Sequence, residues 1–78
     1  MLKSVRRDQI LKNGLEMVRE SGFETITLLA VAARCDCSMN TVKAYFKNRG
    51  LLSREIVKYA QEVGDETTVK TGKRLFPD

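Results

Sequence analysis

The sequence predicts an all-α domain of three to four short helices, followed by a short irregular or β-prone C-terminal tail. Three observations carry that expectation. Apolar residues recur at helical spacing in separate stretches, with residues suited to open or close a helix between them. The link between two of these stretches is only "CDC", too short for anything but a tight turn. At 78 residues, with 42% apolar and 31% charged side chains, the chain is one small domain near the lower limit for a core that folds unaided.

The first helix is expected over residues 4–21. Leu11, Leu15 and Val18 fall at i, i+4, i+7, and Ile10, Gly14 and Met17 form an adjoining row, so one broad stripe is apolar. Ser4 suits the N-cap and Gly22 the residue just past the end. Gly14 in mid-helix costs about 1 kcal/mol relative to alanine, which a close helix crossing would explain. After the link "FETIT", a second helix is expected from Thr27, its N-cap, to Arg34, with Leu28, Val31, Ala32 and Cys35 on its inner side. Asp36 in the turn is one of the few non-glycine types that tolerates positive φ.

Ser38 opens the third helix, which runs to about Phe46. Here only Val42 and Phe46 point inward, leaving Met39, Asn40, Thr41, Lys43 and Ala44 facing out. Asn48 then caps a fourth helix, Arg49 to Val63, whose apolar row is Leu52, Ile56, Tyr59 and Val63. Residues 64–78 show no helical period, and "TTVKT" within them has β-propensity. Phe23, Tyr45, Phe46 and Tyr59 are most simply core aromatics. The domain is thus expected over 1–63, with 64–78 a tail for self-association or DNA contact.

Composition narrows the chemistry. Histidine, the commonest general base and metal ligand, is absent. Cys35 and Cys37 supply two ligands where structural zinc takes four, and a disulfide between them would close a very tight ring. Both are read as small, partly buried apolar side chains, with no metal, no cofactor and no enzymatic activity expected. No stretch has the length of a membrane span and the N-terminus lacks a secretory signal pattern, so a cytoplasmic location is expected.

The net charge is +4 and the pI about 9.3. Five basic residues (Arg34, Lys43, Lys47, Arg49, Arg54) face one acid between positions 34 and 54, while Arg6 and Arg7 precede the first acid, Asp8. Two short helices joined by about three residues, the second polar outside, describe a helix-turn-helix, whose second helix enters the major groove. Ser38, Asn40 and Thr41 suit base edges, Met39 and Ala44 thymine methyls, and Lys43 a phosphate or guanine. Thr27, Lys47 and Arg49 flank that helix at positions suited to phosphate, and Arg6 and Arg7 form a basic arm for phosphate or the minor groove.

The stretch from Arg6 to Leu52 resembles the N-terminal DNA-binding domain of TetR-family transcriptional regulators, a homeodomain-like fold. "RRDQILKNGLEMVRESGFE" is similar to the family's first-helix signature, with "ESGFE" on its acidic-x-Gly-aromatic link. "TLLAVAARCDCSMNTVKAYFKNRGLL" follows, without a gap, the pattern Thr-Val-x-x-Ile-Ala-x-x-Ala-Gly-Val-Ser-x-Gly-Thr-Leu-Tyr-x-Tyr-Phe-x-x-Lys-x-x-Leu. Thr27, Val31, Ala32, Ser38, Thr41, Tyr45, Phe46 and Leu52 fall on pattern positions, and Arg49 replaces the lysine. The resemblance puts Cys35, Asp36 and Cys37 where the family has a core alanine, the turn glycine and a core valine. It implies base contacts near Ser38 to Thr41 and phosphate contacts from Thr27, Lys43, Tyr45 and Arg49, with Lys47 added.

Two substitutions and one absence depart from the pattern. Asn40 stands for the usual glycine, adding an amide able to read adenine, and Lys43 stands for the usual tyrosine. The long second helical domain that senses an effector and dimerises in the family has no counterpart here, so no small-molecule effector is expected. The expected function is therefore a sequence-specific regulator of transcription, a repressor of the kind phages and plasmids carry, with Ser38–Phe46 in the major groove of double-stranded DNA. A single module buries only about 600–1,000 Å² on DNA, which calls for a homodimer, a cooperative oligomer or a contact with RNA polymerase. "TTVKT" or the outer face of the fourth helix would pair two copies. The alternative is a protein-interaction module, an anti-repressor or polymerase-binding factor, on the same fold.

Overall fold

The computed structural model describes residues 5–76 and is all-helical over them, with no strand among the described residues. In chain order the elements are α1 (Val5–Ser21), a 3-10 turn (Phe23–Thr25), α2 (Leu28–Arg34), α3 (Met39–Tyr45), α4 (Arg49–Glu62) and α5 (Glu66–Leu75). Four of the five α-helices open on the side-chain cap that local chemistry favours. Thr27 accepts from the Ala30 amide, Ser38 from Thr41, Asn48 from Leu51 and Asp65 from Thr68. The Ser4 cap lies outside the described residues.

The core is where the periodicity put it. Ile10, Leu11, Gly14, Leu15, Met17 and Val18 of α1 are buried against Val31 and Ala32 of α2, Val42 of α3 and Leu52 and Ile56 of α4. Gly14 marks a close crossing: a Cβ there would lie 2.6 Å from Ile56 Cδ1. The left-handed turn falls on Asp36, φ 55°, and on Gly22, φ 92°, after α1. The link before α2 carries more of the core than its sequence suggests, because Phe23 and Ile26 are both buried.

Three expectations need correction. Residues 66–75 are helical, so "TTVKT" is neither a strand nor irregular, and the route to a dimer through strand pairing falls with it. The periodicity is hidden because the inward row of α5 is Thr68, Gly72 and, just beyond the helix, Phe76, with Val69 beside it. Small and polar residues replace the usual leucines there. Second, Val63 is half exposed rather than inward, since α4 ends at Glu62 and the chain turns at Gly64, φ 79°. Ala60 takes the buried position instead. Third, Tyr45 is 39% exposed and is not a core aromatic. Phe46, one residue on and in extended conformation, turns inward and fills that volume.

α5 packs most extensively on α4 and is tied to α1 as well. Asp65 accepts 2.7 and 2.6 Å hydrogen bonds from Arg19 Nε and Thr68 Oγ1. Those bonds hold its carboxyl down to about 2, the Thr68 hydroxyl acting first and Arg19 second. No helix among the described residues is long and apolar enough to cross a membrane.

Candidate functional site

The site is built by α2, the turn at residues 35–38, and α3. Cys35 closes α2, and the Cys37 amide donates 3.0 Å back to the Ala32 carbonyl, which directs the chain into α3. Ser38 Oγ then accepts from the Thr41 amide at 3.2 Å and shares a 3.0 Å hydrogen bond with Thr41 Oγ1. Val42, fully buried, and Phe46, 1% exposed, hold α3 from behind. The Arg7 guanidinium lies 5.3 Å from the Phe46 ring centroid, covering that anchor from the α1 side.

With its inner side so committed, α3 presents a continuous outer face. Met39, Asn40, Lys43 and Ala44 are exposed, as are Ser38 before them and Tyr45 after them, while Thr41 is half-buried. Thr27 at the start of α2 and Lys47 and Arg49 beyond α3 are exposed as well. The face therefore combines an amide, hydroxyls, methyl groups and ammonium donors. Among the described residues Lys43 and Lys47 make no ion pair. Arg49 donates to the Glu24 carbonyl at 3.3 Å and makes no ion pair among the described residues.

Two arginines counted in the basic stretches are engaged within the fold. Arg34 makes paired hydrogen bonds of 2.8 and 2.6 Å to the two carboxylate oxygens of Glu20 and reaches Glu16 at 3.7 Å. The bond from Arg34 holds the Glu20 carboxyl below its ordinary range, and the same bond raises Arg34. Arg7 bonds Glu55 at 2.6 Å besides stacking on Phe46. Arg6, its neighbour, is exposed on the first turn of α1. The outward positive charge of these stretches thus rests on Lys43, Lys47, Arg49 and Arg6, with Arg54 exposed on α4, and it is narrower than the residue count implies. The pairing of Arg34 and Arg7 had no local signal, because Glu20 and Glu55 lie 14 and 48 residues away.

The two cysteines are free and half-buried against the core. Burial, with Cys37 close by, pushes the Cys35 thiol up, away from the lowered range of an activated nucleophile. No group of three or more cysteine or acidic side chains among the described residues is arranged to hold a metal ion.

No family model, curated protein or solved structure matches this chain.

Proposed function

We propose that the chain is a sequence-specific DNA-binding regulator of transcription, α2 and α3 acting as a helix-turn-helix of the TetR N-terminal kind. One observation carries this reading. The outer face of α3 is exposed and polar over its first turns while Val42 and Phe46 bury behind it, which is what a helix entering a groove about 12 Å wide requires. Ser38, Asn40 and Thr41 face base edges in this reading, and Met39 and Ala44 meet thymine methyls. Thr27, Lys43, Tyr45, Lys47 and Arg49 hold phosphates on either side, with Arg6 following the backbone. Arg7 contributes indirectly, by steadying Phe46 behind the reading helix.

A competing reading is an interaction module that keeps the fold without DNA. The observation in its favour is Leu29, 66% exposed in the first turn of α2, where an apolar side chain gains nothing from phosphate. Selection of bound sites from a random duplex pool separates the two. The regulator reading expects an enriched motif and an affinity falling with salt by a slope near 0.9 per phosphate contacted. Recovery of no motif, with duplex binding undetectable at low salt, would exclude it.

A further inference from the structure

A second surface lies between α4 and α5, and it shares no residue with the face of α3. Leu51, Val57 and Phe76 line its floor, Arg54, Lys58 and Lys73 its sides, around a groove of about 320 Å³. The floor is apolar and only partly covered: Leu51 is 38% exposed, and Val57 and Phe76 are half-buried on the core. Charge here is one-sided. Arg54 and Lys73 make no ion pair among the described residues. The single acid in the lining, Glu55, is already taken by Arg7 at 2.6 Å and Lys58 at 3.2 Å. Its negative charge is spent within the fold, so the groove meets an incoming partner with unbalanced cations above a hydrophobic strip.

We infer that this groove docks an acidic amphipathic segment of a protein partner. Its carboxylates pair with Arg54 and Lys73, and its apolar side chains cover Leu51, Val57 and Phe76. Complementarity decides among occupants. A nucleic acid would satisfy the cations but leave Leu51, Val57 and Phe76 wet. A peptide presenting acids beside leucine or phenylalanine satisfies both at once. The inference is independent of the DNA reading, because it uses a different face.

The test is a displayed library of random short peptides, panned on the full chain and scored against Arg54→Gln/Lys73→Gln, which removes both charges without placing an acid in the last turn of α5. Both positions are exposed, so the double variant is expected to keep its circular dichroism and melting temperature. The expected result is enrichment of peptides combining acidic and apolar residues. Their affinity drops about tenfold or more on the double variant and falls with salt, since rim charges are screened. Amide shifts on adding a selected peptide should cluster at Leu51, Val57 and Phe76, while the preference for any selected duplex over a random one is kept in the double variant, whose lower net charge weakens both alike. Enriched peptides without acids, equal binding to the double variant, shifts elsewhere, or a preference of the same residues for duplex DNA or anionic vesicles would each overturn it.

Discussion

The rings of Phe23 and Phe76 meet edge to face, centroids 5.3 Å apart and planes at 70°. This contact joins the link before α2 to the residue that closes α5, across most of the chain. An edge-to-face pair adds about 0.5–1.5 kcal/mol beyond burial, so Phe76→Ala is expected to cost about 1–3 kcal/mol in urea denaturation. The loss should also loosen α5 before the rest of the domain unfolds, read as faster amide exchange over residues 66–75 than in α1.

Gly72 tests the same packing from the other side. A Cβ there would collide with Val57 Cγ2 and come within 3.3 Å of Phe23 Cζ. Alanine gains about 1 kcal/mol of helix propensity, but valine is stiff and yields little, so crowding of about 1–3 kcal/mol wins. Gly72→Ala should therefore lower the melting temperature, although the same exchange in an exposed helix raises it. A stabilised variant would show that α5 is not seated as described.

Asp65 predicts an acid-sensitive helix. Its folded pKa, about 2, lies below the ordinary 3.8, so its contribution is fully present above the unfolded value and is lost as pH falls toward about 2. Allowing for partial solvent screening at Arg19, that contribution is about 1–2 kcal/mol. Asp65→Asn keeps a cap but loses the charge, so it should be less stable than the parent at neutral pH, with the deficit shrinking from about pH 4 downward and gone only below about pH 2. An undiminished deficit in acid would rule out the carboxylate as the cause.

Ser38 serves α3 before it serves any ligand. Removing its hydroxyl in Ser38→Ala takes the partner from the Thr41 hydroxyl and the side-chain acceptor from the Thr41 amide, which keeps the Ser38 carbonyl at 3.0 Å, and should cost about 1 kcal/mol. Ser38→Asn should restore the stability, because asparagine caps as well, and on the proposed DNA reading it should still bind duplex more weakly than the parent. Thermal melts and duplex titrations on the two variants separate the roles.

Asn40→Ala and Lys43→Ala are both exposed substitutions and should melt like the parent. If α3 reads DNA as proposed, the first should lose about 1–3 kcal/mol on the selected site alone in duplex titrations, and the second should weaken all duplexes and reduce the salt slope by about one. Parental binding by both would mean that α3 is not the reading helix.

Much of this molecule is decided by signals that act within a few residues. Thr27, Ser38 and Asn48 cap the helices after them, Asp36 takes the left-handed turn, and Val42 and Phe46 mark the inner side of α3. Each acts through a hydrogen bond to an amide three residues on, a local backbone angle or a helical period, so the chain alone determines them. The outward set on α3 follows, because a helix with two anchors on one side leaves its other residues to solvent. Tertiary structure decided what depends on a distant partner. α5 is a helix whose buried row is threonine and glycine, and smallness favours burial only where Val57 and Phe23 stand opposite. The exposure of Tyr45, the engagement of Arg34 by Glu20 and the commitment of Arg7 to Glu55 and Phe46 likewise arise from neighbours brought in by the fold. Pairing energy of that kind belongs to the contact and not to either residue, so no local pattern carries it.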